Sequence, residues 1–177
     1  MREAQIMTRL SLAAAAALAL LAGCGFRGPA AQVGPDGQPL PVAYRISARE
    51  GAEIPGRILT QVNLLRAQSG MAPLADSPQL TAAAMAHSRD MSAQNRAWHF
   101  GSDGSSPLDR AHRQGYSGHL IGENISETYE TDIATLAAWM QERDTRDVLM
   151  DPAAQQMGMG WYQEPGNKIW WTLLVGS

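Results

Sequence analysis

Residues 168–175 read Lys168-Ile169-Trp170-Trp171-Thr172-Leu173-Leu174-Val175. At the two-residue period of a strand, Ile169, Trp171, Leu173 and Val175 line one face, while Trp170 and Leu174 occupy the other. A strand with one solvated face alternates apolar with polar. This one needs cover on both faces, as a strand in the middle of a sheet does when helices pack on either side. The predicted fold is therefore α+β, a three-layer α-β-α sandwich.

Working outward, Pro165-Gly166-Asn167 supplies turn residues, so Met157 to Gln163 pairs with the last strand as a hairpin, and His119 to Ser126 is a further strand. Ile58, Val62 and Leu65 repeat at helical spacing and Gly70 supplies a stop, which predicts a first helix over 55–69. Ser77-Pro78 gives a cap followed by a residue suited to the first helical position, and Leu80, Ala84, His87 and Met91 form a stripe running to about Gln94. Ser106-Pro107 repeats that start for a short helix ending near Gly115. Thr131 opens a fourth, with Ile133, Leu136, Ala137 and Met140 on one face.

Upstream the character changes. Arg9 precedes an apolar run from Leu10 to Ala22, too short to cross a bilayer as a helix, and Leu21-Ala22-Gly23-Cys24 follows it. This is the layout of an export signal over residues 1–23, with Met7 as an alternative start. Its last four residues resemble a bacterial lipobox, which implies a diacylglyceryl group on Cys24 and a mature chain beginning there. Residues 24–50 are expected to be a Pro- and Gly-rich tether, because Gly25 to Ala43 holds four Gly and four Pro and cannot bury enough apolar surface to fold. The folded domain is expected over 51–177, long enough to form a core without a metal or a disulfide.

Composition narrows the chemistry. Cys24 is the chain's single cysteine, so the domain has no thiol nucleophile and no internal disulfide. The net charge is -3, with 14 basic residues scattered along the chain. No basic face emerges to neutralise phosphates, and nucleic acid is not an expected partner. No Ser lies in a Gly-x-Ser-x-Gly elbow, which disfavours a Ser-His-Asp hydrolase.

The remaining motifs fall in a series: Asn63-Leu64-Leu65-Arg66, Gly70 with Leu74, Trp98-His99-Phe100-Gly101-Ser102-Asp103-Gly104, Asp109-Arg110, Gly115-Tyr116, Gly122-Glu123-Asn124-Ile125, Trp139-Met140 and Met157-Gly158-Met159-Gly160. In order and spacing it resembles the CAP superfamily, or SCP domain, from about residue 54 to the C-terminus. The family includes cysteine-rich secretory proteins, insect venom antigens, plant pathogenesis-related proteins and bacterial envelope proteins. The resemblance implies an α-β-α sandwich whose cleft gathers two His and two Glu, holding a divalent metal in some members.

Carried over position by position, the resemblance puts the first His at His99 and the first Glu at Glu123. The second Glu falls at Glu142, three residues after Trp139, and the second His at Thr145. Thr is a poor ligand for a borderline metal, so the implied tetrad is incomplete. His99, Glu123 and Glu142 remain as weak metal candidates, with Thr145 as a fourth cleft position. No cofactor is required, and a weakly bound divalent cation such as zinc is the one considered. Glu123 also reads as a structural carboxylate, Asn124 as a loop organiser, and Glu142 equally as part of a solvated helix end beside Arg143, Asp144 and Arg146. His87 lies on an apolar stripe and reads as a hydrogen-bonded core or rim residue. His112 reads as surface. His119 reads as a loop residue before its strand, although it shares a strand face with Glu123.

Two functions follow. The first is a non-catalytic binding or scaffold module in the bacterial cell envelope, outside the cytoplasm and tethered to a membrane through Cys24, whose cleft takes a lipid, a peptide or a cell-wall fragment. The second is a metal-assisted hydrolase with Glu123 or Glu142 as general base on a metal-bound water and His99 as ligand or acid.

Overall fold

The computed structural model describes residues 44–177. The expected signal, Cys24 and the tether up to residue 43 lie outside the described residues, while residues 44–50 belong to the folded body.

Helix α1 spans Ala48–Gln68. It begins earlier than the expected residue 55, because Ser47 and Glu50 close a reciprocal capping box at its first turn. Pro55 is carried inside the helix, and the boundary expected at residue 51 falls within α1. The folded body reaches back to Tyr44, whose carbonyl accepts from Gln163 Nε2 at 2.7 Å. A two-residue strand, β1 (Ala75–Asp76), leads into α2 (Pro78–Gln94), which Ser77 caps through Leu80 N–H. Helix α3 (Pro107–Arg113) is capped by Ser106 and Asp109 in a second capping box, and β2 (Leu120–Thr128) follows.

The fourth expected helix is two: α4 (Asp132–Gln141) and α5 (Arg143–Leu149), making five helices among the described residues. Glu142 separates them with an extended backbone (φ -86°, ψ 132°). Strands β3 (Gln156–Gln163) and β4 (Ile169–Gly176) form the expected hairpin.

The sheet order is β1-β3-β4-β2, with β4 antiparallel to both β3 and β2 and entirely buried. One face of β4 packs Ile169, Trp171, Leu173 and Val175 against Ile54, Ile58 and Val62 of α1, Leu136 and Trp139 of α4 and Leu149 of α5. On the other, Leu174 joins Leu80, Ala83 and Ala84 of α2 and Ala111 of α3. The three-layer reading of the final strand is thus realised. Gly158 and Gly160 let α2 lie directly on β3: a Cβ at either position would overlap backbone of α2 at Leu80–Thr81 or Ala84–Met85.

Two residues of the Asn-Leu-Leu-Arg motif tie the layers. Asn63 accepts from and donates to the backbone of Leu74 (2.7 and 2.9 Å), acting as a short strand partner for the loop before β1. Arg66 is wholly buried and donates to the carbonyls of Ala72, Leu149 and Asp151 at 2.8–2.9 Å. Its charge is satisfied by peptide dipoles, and burial lowers its pKa.

Candidate functional site

Strand β2 is the edge of the sheet, and its residues alternate between the two helical layers. Glu123 points toward α2 and α3; Asn124 points toward α5. The carboxylate of Glu123 meets three elements. His99, in the loop after α2, sets Nδ1 2.9 Å from Oε1. Arg110 of α3 donates to Oε2 at 2.6 Å, and His87 of α2 places Nε2 3.8 Å from Oε1, beyond hydrogen-bond reach. Arg110 also donates to the carbonyls of His99 (2.9 Å) and Ser105 (3.0 Å), so one guanidinium both neutralises Glu123 and holds the His99 loop.

His87 is fully buried and donates from Nε2 to the Trp98 carbonyl at 3.0 Å, which leaves Nδ1 bare and without a partner among the described residues. Burial lowers its pKa, outweighing the attraction of Glu123 that would raise it. The imidazole is therefore held neutral at physiological pH. The side chain of His99, by contrast, is 52% exposed.

Beside this cluster lies a cleft of about 510 Å³, within the range typical of ligand sites. Its walls are Pro107 and Leu108 of α3 and Asp144, Thr145 and Val148 of α5; its floor is β2 from Leu120 to Ile125, with His99 and His119 at the margin. Asn124 donates from Nδ2 to the Thr145 carbonyl at 2.8 Å and fixes α5 to the strand, while its Oδ1 is buried without a partner among the described residues. Thr145 donates from Oγ1 to the Trp139 carbonyl at 2.7 Å, closing the corner between α4 and α5.

Of the sequence candidates, His99, Glu123, Thr145 and His119 all line the cleft, and His119 does so from just before β2, where its backbone pairs with Ser177. Glu142 does not. In a continuous helix, residues 142 and 145 would share a face. The extended backbone at Glu142 breaks that relation, leaving its side chain exposed at the corner while Thr145 faces the cleft.

Arg110 is the member that sequence reasoning missed, whereas His87 is the hydrogen-bonded core residue expected. Arg110 stands in the sequence only as half of the Asp109-Arg110 pair, whose place in the motif series was the available signal.

The implied metal does not fit this donor set. Among the described residues no three His, Cys, Asp or Glu side chains converge as ligands. Both oxygens of Glu123 are engaged, one of them by a guanidinium that would repel a cation. The pair His99–Glu123 is left as a hydrogen bond rather than two free ligands.

A model of the cysteine-rich secretory protein (CAP) family matches residues 59–175. The uncharacterized protein YkwD of Bacillus subtilis (strain 168) is 30% identical over 121 residues, which is 68% of this chain and 46% of that protein. The chain thus spans under half the length of this curated relative. An extracellular protein containing an SCP domain from Bacillus anthracis superposes with a TM-score of 0.62 at 22% identity, over 76% of this chain and 45% of that one. An outer surface protein from Borrelia burgdorferi gives 0.64 at 17% identity, over 76% and 98% of the two chains. At these identities the likeness is one of fold.

Proposed function

The chain belongs to the cysteine-rich secretory protein (CAP) family, and from that premise we propose that it is a membrane-tethered, extracytoplasmic binding or scaffold module that does not catalyse. The observation that carries this reading is the state of Glu123. Its carboxylate has a side-chain exposure of 1%, with one oxygen on Arg110 and the other on His99. A general base must reach the proton that it removes, and this carboxylate is paired to a guanidinium on its buried side and held away from solvent. With Glu142 outside the cleft, the metal-assisted alternative lacks its second carboxylate. What remains is a preformed groove with Leu108 and Val148 facing it beside Asp144 and with β2 as its floor, suited to holding a ligand.

Extracytoplasmic placement is supported by the export signal in the sequence and by relatives described as extracellular and outer-surface proteins. Tethering rests on the lipobox-like Leu21-Ala22-Gly23-Cys24, from which a diacylated Cys24 would anchor the domain stably.

Calorimetric titration of the purified chain with zinc tests the non-catalytic reading. The expected result is no stoichiometric binding at micromolar concentrations. A 1:1 site of micromolar Kd or tighter that disappears in His99→Ala would overturn it and restore the hydrolase.

A further inference from the structure

The floor of the cleft is a sheet edge, and it offers main chain rather than side chain. Glu123 as a residue is 8% exposed although its side chain is 1% exposed, so what solvent reaches at this position is its backbone. In an antiparallel pair, alternate residues turn both N–H and C=O away from the partner strand. The Ile125 carbonyl accepts from Trp139 Nε1, a group outside the sheet, which identifies Ile125, and with it Glu123, as the outward-turned residues. Trp139 covers the edge at the Ile125 carbonyl. Toward the start of β2, the N–H of Ile125 and both backbone groups of Glu123 face the groove between α3 and α5, along the stretch that lines it.

The walls carry a second indication. Leu108 and Val148 are apolar, and the charge of Glu123 is offset by Arg110. Asp144 is left as the unbalanced charge of the groove: its neighbours Arg143 and Arg146 both turn to Asp147, and Asp144 makes no ion pair among the described residues.

We propose that the ligand of this cleft is an extended peptide that adds a strand to the free edge of β2, hydrogen-bonding to the backbone of Glu123 and Ile125, with apolar side chains on the Leu108–Val148 walls and a basic group on Asp144. This rests on the cleft-binding reading above and names its ligand class. A fatty acyl chain would bury these main-chain groups without partners, which is costly, whereas a strand satisfies them at its own repeat. The acidic wall selects among peptides for a Lys, Arg or free amine at the matching position. Strand addition also explains the division of labour around Glu123: the side chain is locked from behind by Arg110 and His99, and this rigid hold keeps the main chain in register for a guest.

The test is to pan a displayed random hexapeptide library on the immobilised full chain and to measure the recovered peptides by fluorescence polarisation. Selected sequences should alternate apolar residues and include a basic one. N-methylation of the peptide at alternate residues should weaken binding about tenfold in one register and leave it unchanged in the other. On the protein side, Ile125→Pro removes the outward N–H without touching a ladder bond and should weaken binding about five- to tenfold, while Ile125→Val retains it. Asp144→Asn should cost a similar factor only for peptides carrying the basic residue.

Peptides that tolerate methylation in both registers, or a library that yields no binder sensitive to Ile125→Pro, would overturn the proposal. Parallel titrations with an N-acetylglucosamine oligomer and with palmitate separate the ligand class from cleft binding itself. Binding of either that is lost in Leu108→Asp, with no peptide bound, overturns the peptide class and leaves cleft binding standing. Failure of all three overturns both.

Discussion

Removing Arg110 should unfasten the cleft and cost more stability than any surface ion pair would. Arg110→Met keeps most of the side-chain volume but leaves the carboxylate of Glu123, at 1% side-chain exposure, with His99 as its single remaining hydrogen-bond partner. Breaking a buried pair by deleting one partner costs about 3–5 kcal/mol, because the other charge stays desolvated. The carbonyls of His99 and Ser105 also lose a donor, at about 1 kcal/mol each where they stay buried.

A loss of about 5 kcal/mol is a large part of the ~5–15 kcal/mol that holds an ordinary domain together. Glu123→Gln should cost less, since the amide keeps the shape and one acceptor. The double variant should then fall short of the sum of the singles by about 2 kcal/mol, within the coupling range of contacting residues. Urea unfolding followed by the fluorescence of the five Trp residues measures all four proteins, provided that the slopes agree. A cost below about 1 kcal/mol for Arg110→Met, or strict additivity, would show that Glu123 does not depend on Arg110 and would remove the reason for treating its carboxylate as locked.

Three further outcomes are expected. Because burial lowers the pKa of His87 below its ordinary 6.5, the unfolded chain takes up the proton first; stability should be full above pH 6.5 and decline as pH falls below it, by at most about 1.4 kcal/mol per pH unit. A His87→Gln variant should lose that slope, and a flat wild-type profile between pH 7.5 and 5.5 would contradict the buried neutral imidazole. Gly158→Ala drives a methyl into the backbone of α2 at Leu80–Thr81 and should destabilise the domain by about 2–3 kcal/mol, read from its denaturation midpoint. Cys24→Ser should abolish incorporation of a fatty-acid analogue and release the chain from membranes or leave its signal uncut; equal labelling of both forms would refute lipidation.

Much of this molecule was legible where local chemistry and tertiary need agree. Ser77-Pro78 and Ser106-Pro107 start helices because cap and ring conformation suit the same turn wherever they occur, and both do so here. The last strand announced its central place because its burial on two sides is written into its own side chains. The errors have equally local causes. The apolar stripe of Ile58, Val62 and Leu65 marks the middle of α1 and not its start, which the closed capping box of Ser47 and Glu50 sets by satisfying backbone donors. The corner at Glu142 interrupts a stretch whose composition is helical throughout, so no residue there advertises it.

That corner decides the site, because it is what separates Glu142 from Thr145 and leaves the cleft with one carboxylate from the expected pair. The burial of Arg110 was illegible for a different reason. Nothing beside Arg110 on its short helix names its partner, and only the arrival of β2 from the far side, carrying Glu123, turns it inward. The same arrival makes β2 an edge strand with α3 on one side and α5 on the other. The residues that hold the cleft therefore come from three elements whose meeting is a property of the sheet order. A side-chain motif such as Gly-Glu-Asn-Ile can be recognised in a sequence, but its use of main chain toward the groove and side chain toward the core becomes visible only when the strand has been placed at the edge.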